Sequence, residues 1–241
     1  MSRRLLAALA LSSAAAACCG AQTLDEILTR YLEARGGAQR LATVQSLRLT
    51  GQIQFAVGLS GPFTLERRRP KSMRAEFLLE GARGVQAFDG HVAWALAPGE
   101  KAGEALSGRE AGEVEEQSDI DGPLVDWKAK GHSLALLGRQ MLEGRDTWKL
   151  RLTTAKGNVR TVFLDAKTIL EACIEGTRTL GGQELLVESW LSDYRTVDGI
   201  PIPFRIESGP KGSRERQRIQ FDKAELNVPL DASRFRMPSL R

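Results

Sequence analysis

The sequence predicts a mainly β protein: one curved antiparallel sheet of about 10–12 strands, with an N-terminal helix and a short helical segment as its other elements. Two observations carry this. Apolar and polar residues alternate through run after run of the chain, and short turn signals separate the runs, the mark of a meander. Nothing between the runs has the pattern of a helix that could cross over between parallel strands.

Of the 241 residues, 42% are hydrophobic, 27% charged and only 6% aromatic, which excludes a disordered polyelectrolyte and a multispan membrane protein. The formal net charge is +4. Two of those positives, Arg3 and Arg4, belong to a segment read as a signal peptide, so the basic residues of the domain are matched almost one for one by acids. Nucleic acid is therefore not an expected partner.

Residues 1–21 open with Arg3 and Arg4, run apolar from Leu5 to Ala17 and end Cys-Cys-Gly-Ala. This is the layout of a secretory signal, with cleavage after Ala21 and a single domain over residues 22–241. The apolar stretch is shorter than the roughly 20 residues a bilayer span requires. The cysteines Cys18 and Cys19 allow a second reading, acylation at a lipobox-like site lacking the usual Leu, which would anchor the domain to a membrane. With ordinary cleavage Cys173 is the last cysteine left, and its apolar strand setting reads as a small buried hydrophobe; an intermolecular disulfide or reactive thiol is the alternative.

Thr23-Leu-Asp-Glu26 is a capping box, and Leu24, Ile27, Leu28, Tyr31 and Leu32 follow at amphipathic helical spacing until Gly36-Gly37 stops the helix. A short turn of helix is expected over Ala38–Thr43. From Ser46 the period becomes two: Leu47, Leu49, Ile53, Phe55 and Val57 alternate with polar neighbours. Further strands are expected at Pro62–Arg69, Ser72–Glu80, Gly84–Phe88 and His91–Leu96. After a polar interval they resume at Ser133–Leu142, Asp146–Thr154, Val159–Leu164, Ile169–Thr179, Gln183–Thr196, Pro201–Glu207 and Arg214–Leu226. The interval Ala97–Gly131 reads as a long loop with a turn or two of helix over Glu110–Ser118 and an apolar cluster at Leu124, Val125 and Trp127. A loop of that length in a compact sheet protein is more often functional than idle.

Tests for chemistry fail. His91 and His132 are the only histidines and neither sits in metal-ligand spacing. Gly131-His-Ser-Leu-Ala135 lacks the second Gly of a nucleophile elbow. Asp119-Ile-Asp121-Gly lacks the later ligands of a calcium loop and reads as a turn opened by Asp. No phosphate-cradling loop precedes a helix. No catalytic residue, metal or cofactor is expected. The basic runs Arg67-Arg68-Arg69 and Arg214-Glu-Arg216-Gln-Arg218 read as solvated faces, with anionic headgroup contact as the alternative.

An extended antiparallel sheet tends to curl, and its apolar inner face must be filled by side chains, helices or ligand. Helices at Thr23–Arg35 and around Leu124–Trp127 are the expected plugs, and if they fill it only partly an acyl-sized cavity is left. A fully packed core without ligand is the competing expectation. A lipid carrier fits because a buried methylene gains about 0.8 kcal/mol over water.

The segments Ala34-Arg-Gly-Gly-Ala38, Ser46-Leu-Arg-Leu-Thr-Gly51, Phe88-Asp-Gly90 with Ala93-Trp94, Asp121-Gly-Pro-Leu-Val-Asp-Trp-Lys-Ala-Lys-Gly131 and Ser192-Asp-Tyr-Arg-Thr-Val-Asp-Gly-Ile-Pro-Ile-Pro-Phe204 together resemble bacterial outer-membrane lipoprotein-sorting proteins of the LolA-like superfamily. The resemblance implies an unclosed half-barrel, lidded by helices over a hydrophobic cavity. It also implies a place in the periplasm and a cargo of lipoprotein acyl chains or other lipids. Candidate cavity residues are Leu49, Ile53, Phe55, Phe63, Leu65, Phe77, Leu79, Trp94, Leu124, Trp127, Trp148, Leu150 and Phe163. Expected partners are lipid or acyl chains, with a membrane surface or membrane protein as docking site. The rival readings are an envelope interaction or sensor protein that binds a protein partner, and, disfavoured by the failed motifs, an enzyme.

Overall fold

The computed structural model describes residues 22–180 and 183–238. The signal segment 1–21 with Cys18 and Cys19, and the Gly181-Gly182 turn, lie outside the described residues.

Two helices lead the chain, α1 (Leu24–Ala34) and α2 (Ala38–Thr43). The capping box forms in full: Glu26 N–H donates to Thr23 Oγ1 at 3.3 Å and Thr23 N–H donates to Glu26 Oε2 at 2.8 Å. Gly36, at φ 101°, ends α1 where the chain passes the distant Asp198-Gly199 turn; a Cβ there would stand 2.6 Å from the Gly199 carbonyl oxygen.

Six strands follow: β1 (Ser46–Gln54), β2 (Ser60–Arg68), β3 (Ser72–Leu79), β4 (Ala82–Phe88), β5 (Ala93–Leu96) and the two-residue β6 (Glu104–Ala105). Then come α3 (Gly108–Gln117), β7 (Ser133–Leu142), β8 (Arg145–Thr153), β9 (Val159–Asp165), β10 (Glu171–Leu180), β11 (Gln183–Val197), β12 (Ile200–Pro210) and β13 (Gln217–Leu226). A 3-10 turn, Ala232–Phe235, closes the described chain. The strands match the alternation closely. The short β6 escapes it, and α3 is longer than the turn or two expected.

All strands belong to one antiparallel sheet in the order β6-β5-β4-β3-β2-β1-β13-β12-β11-β10-β9-β8-β7. Two meanders therefore meet at a central β1–β13 seam, and the free edges, β6 and β7, are not joined. The interval that reads as a long loop connects those edges. Within it α3 touches β3, β4 and β5 on one side and β10 on the other. In a flat sheet β3 and β10 would lie about 28 Å apart at the usual strand spacing, whereas a ten-residue helix is only about 15 Å long. The sheet must curl for one helix to reach both, and the result is a mainly β, unclosed half-barrel with α3 strapped across its mouth.

The inner face is the one the helices cover. Register lines up Phe221, Gly51, Phe63 and Phe77 across β13, β1, β2 and β3. The Phe63 and Phe221 rings meet at 5.9 Å above Gly51. Gly51 is required there because a Cβ would come within 2.0 Å of the Gln220 carbonyl, at the point where the β1–β13 register shifts. The expected helix at Leu124–Trp127 is corrected: residues 123–131 form successive turns, with Asp126 at φ 51°, a left-handed conformation that stops a helix.

The outer face is also covered in part. Glu66, 1% exposed, accepts from Arg48 Nε and Arg234 Nε, both at 2.8 Å. Cys173 is fully buried, and burial pushes its thiol up to about 12. Its thiolate fraction at neutral pH is therefore negligible. Treatment of the native protein with a maleimide should leave the Cys173 peptide unmodified by mass mapping, with labelling only after denaturation.

Candidate functional site

The inner face is built from both meanders. α1 lays Ile27 and Tyr31 onto it, and the turns after α3 add Ile120, Leu124 and Val125. Of the candidate cavity residues, Leu49, Ile53, Phe63, Leu124, Trp148 and Leu150 lie buried in this cluster. Phe55, Leu65 and Phe77 pack against it while partly exposed, with the Phe55 and Phe77 rings edge to face at 5.5 Å. Leu79 alternates onto the same face at the end of β3, half-buried. Trp127 is half-buried in the turns, outside this cluster, with the Lys128 ammonium 5.1 Å from its ring centroid.

Two candidates face the other way. Trp94 packs with Val85, Ala87 and Leu96, and its indole N–H donates to the Phe235 carbonyl at 2.8 Å under the C-terminal turn. Phe163 lies between Val162 and Leu164, which point inward, so it projects outward beside Cys173 with Lys149 over its ring. Both are corrections with one cause: the outer face is covered too, so apolar residues fall on both parities there. Alternation alone also passed over Ile206 and Ile219, which face each other across β12–β13, half-buried on the inner face; Ile219 is in turn opposite Ile53.

Two cavities lined by the described residues do not provide the expected acyl-sized hollow. One, between α3 and β9–β11, encloses about 20 Å³; counted out to solvent it is a cleft of about 340 Å³. The other, about 70 Å³, is on the outer face beside Glu66, Arg74 and Arg234. Each enclosed space suits one or a few waters. What the inner face offers instead is a partly open apolar stretch running through Phe55, Phe77, Leu65, Ile206 and Ile219.

Charged groups fix the elements over that face. Tyr31 donates to Glu171 Oε1, and Arg35 Nη1 donates to the Tyr31 hydroxyl at 2.6 Å and lies 3.4 Å from Glu171. Tyr194 donates to the Glu171 carbonyl at 2.9 Å. Burial pushes both phenols well up, with the Glu171 carboxylate adding to it. Burial alone would lower Arg35, but Tyr31 and Glu171 raise it overall.

The basic run Arg67-Arg68-Arg69 is not a solvated face. Arg67 alternates inward, where burial pulls its guanidinium down to about 10 against the pull of Asp119. Arg68 lies over the Phe235 ring. Arg69 grips Asp121 through Nη1 at 2.7 Å and Nη2 at 2.5 Å, while its Nε and Nη2 also donate to the Val44 and Leu41 carbonyls. Lys130 reaches Asp119 at 2.5 Å and the Gly122 carbonyl at 2.8 Å. Asp119 also caps its own turn, accepting from Asp121 N–H at 3.1 Å.

His132 accepts from the Ala155 N–H at 3.0 Å, and burial lowers its basicity. Among the described residues no group of three or more His, Cys, Asp or Glu is placed to hold a metal ion, and no helix is long and apolar enough to cross a membrane.

No protein-family model and no curated protein matches the sequence. Solved structures do. A DUF1329 family protein from Desulfovibrio piger superposes with a TM-score of 0.59 at 14% identity, over 88% of this chain and 96% of that one. A domain described as an outer membrane lipoprotein-sorting protein, from Vibrio parahaemolyticus, gives 0.58 at 11% identity, over 87% and 94%. A LolA superfamily protein from Nitrosomonas europaea gives 0.53 at 13% identity, over 90% and 98%. The unclosed thirteen-stranded sheet curled around its helices is thus a LolA-like fold.

Proposed function

We propose that this chain is a non-enzymatic periplasmic carrier that holds lipid or lipoprotein acyl chains against the inner face of its half-barrel. The observation that carries the reading is the surplus of apolar surface on that face: Phe55, Leu65, Phe77, Ile206 and Ile219 sit partly exposed beneath an incomplete cover. Water contact there is costly, and an acyl chain removes it at about 0.8 kcal/mol per methylene buried. Transfer between membrane and sheet exchanges one apolar setting for another, so small movements of α1 or of the α3 strap decide loading and release. The lipoprotein-sorting description of a structural neighbour and the export signature of residues 1–21 point the same way.

The test is lipid retention in variants. Phe55→Asp puts a charge on the open part of the inner face and should cut copurifying acyl lipid at least ten-fold, read by extraction and mass spectrometry. Trp127→Asp, outside the inner cluster, should leave it unchanged. A folded Phe55→Asp protein with full lipid content would refute the placement of the cargo.

A further inference from the structure

The cleft between α3 and β9–β11 carries two opposite charges that the fold does not use. Among the described residues the ion pairs that tie α3 to its surroundings are Arg109 with Glu184, Lys71 and Lys156 with Glu115, and Arg160 with Glu116; Asn158 also donates to Glu116, at 3.0 Å. Glu113 and Arg178 line the same cleft and are left out of them. Glu113 is only 9% exposed, and its Oε1 has no hydrogen-bond partner. An unsatisfied buried carboxylate is costly and rare in folded proteins. Burial pushes its carboxyl up, while Arg178 and Arg160 pull it back, so the guanidinium is near without bonding to it. The floor of the cleft is Ile174 and Val187, and Ile174 packs against the apolar inner cluster. The polar cleft is thus continuous with the apolar face.

Among the described residues neither the buried Glu113 oxygen nor the Arg178 guanidinium has a hydrogen-bond or ion-pair partner, and such a carboxylate and guanidinium in one cleft are complementary to a zwitterion. We propose that this cleft holds the headgroup of a zwitterionic amphiphile of the phosphoethanolamine type. Its ammonium meets Glu113, its phosphate meets Arg178, and its acyl tail runs over Ile174 onto the inner face. The proposal rests on the carrier reading and names its cargo. A quaternary ammonium cannot donate hydrogen bonds to Glu113, so choline headgroups are disfavoured. A headgroup with phosphate alone leaves the carboxylate unpaired and facing a like charge.

Calorimetric titration of the full domain with palmitoyl lysolipids below their micellar range tests this. Lysophosphatidylethanolamine should bind about ten-fold tighter than lysophosphatidylglycerol or lysophosphatidylcholine, the scale of one charge-assisted hydrogen bond. Glu113→Gln should abolish the preference by weakening the ethanolamine lipid alone, with thermal stability unchanged or raised because the carboxylate has no partner to lose. Arg178→Gln should weaken all three. Free phosphoethanolamine should bind far more weakly than the lysolipid; equal binding would overturn the lipid assignment. Equal affinity for the three lysolipids, or a preference that survives Glu113→Gln, would overturn the headgroup site while leaving the carrier reading intact. If no lysolipid binds, the carrier reading itself fails.

Discussion

Glu171→Ala should destabilise the chain by about 3–5 kcal/mol, the usual cost of removing one partner from a buried ion pair. Glu171 and Arg35 side chains are 11% and 14% exposed, and the carboxylate also accepts from Tyr31. Its loss leaves a guanidinium and a phenol without their acceptor in a site that water barely reaches. For a domain of this size, each kcal/mol moves the thermal midpoint by a few degrees, so a fall of roughly 10 °C is expected by calorimetry. Tyr31→Phe should cost less, about 1 kcal/mol, because Arg35 already lies 3.4 Å from Glu171 and can close on it. Arg35→Met and Glu171→Leu combined with Tyr31→Phe should recover most of the loss, since the buried Tyr31 hydroxyl bonds to both charged groups and only replacing all three leaves nothing unpaired. An unchanged midpoint in Glu171→Ala would mean that α1 is held by its apolar face alone.

The second large effect concerns the strap. Arg69→Ala removes both bonds to Asp121 and the donors to the Val44 and Leu41 carbonyls, and should cost about 2–3 kcal/mol. The loss is local. Asp121 begins the turns that insert Leu124 and Val125 into the inner cluster, so those turns should open before the sheet does. Limited trypsin digestion reads this directly: cleavage after Lys128 and Lys130 should accelerate at least several-fold while the strands stay protected. If the strap governs loading, lipid exchange should speed up in the same variant. Cleavage at the wild-type rate would show that Lys130–Asp119 and the apolar contacts suffice to hold the strap.

The strands and α1 were legible because their signals are local. Leu47, Leu49 and Ile53 alternate with polar residues on a sheet with one dry face, and Thr23 with Glu26 announces α1. The β1–β13 seam was not legible, since pairing between the two ends of the chain leaves no mark on either strand alone. Without that seam, the interval Ala97–Gly131 reads as a loop, although it is the strap that joins the two free edges. The charges of α3 hid its length: Glu110, Glu113, Glu115 and Glu116 suggest a solvated segment, whereas Glu115 and Glu116 pair with Lys156 and Arg160. The site was read in part. Inward residues of β1 and β2 follow from alternation, whereas Trp94 and Phe163 look equally apolar and lie beneath a second cover on the outer face. Arg67 reads as surface by residue type, yet its parity matches that of Leu65 and Phe63.

Native mass spectrometry of the protein purified gently from the cells that make it tests the central claim most directly. The account predicts a population heavier than the bare chain by the mass of an acyl lipid, shed on denaturation and reduced in Phe55→Asp. A bare chain throughout, or one bound in fixed ratio to a protein partner with no lipid, would contradict it.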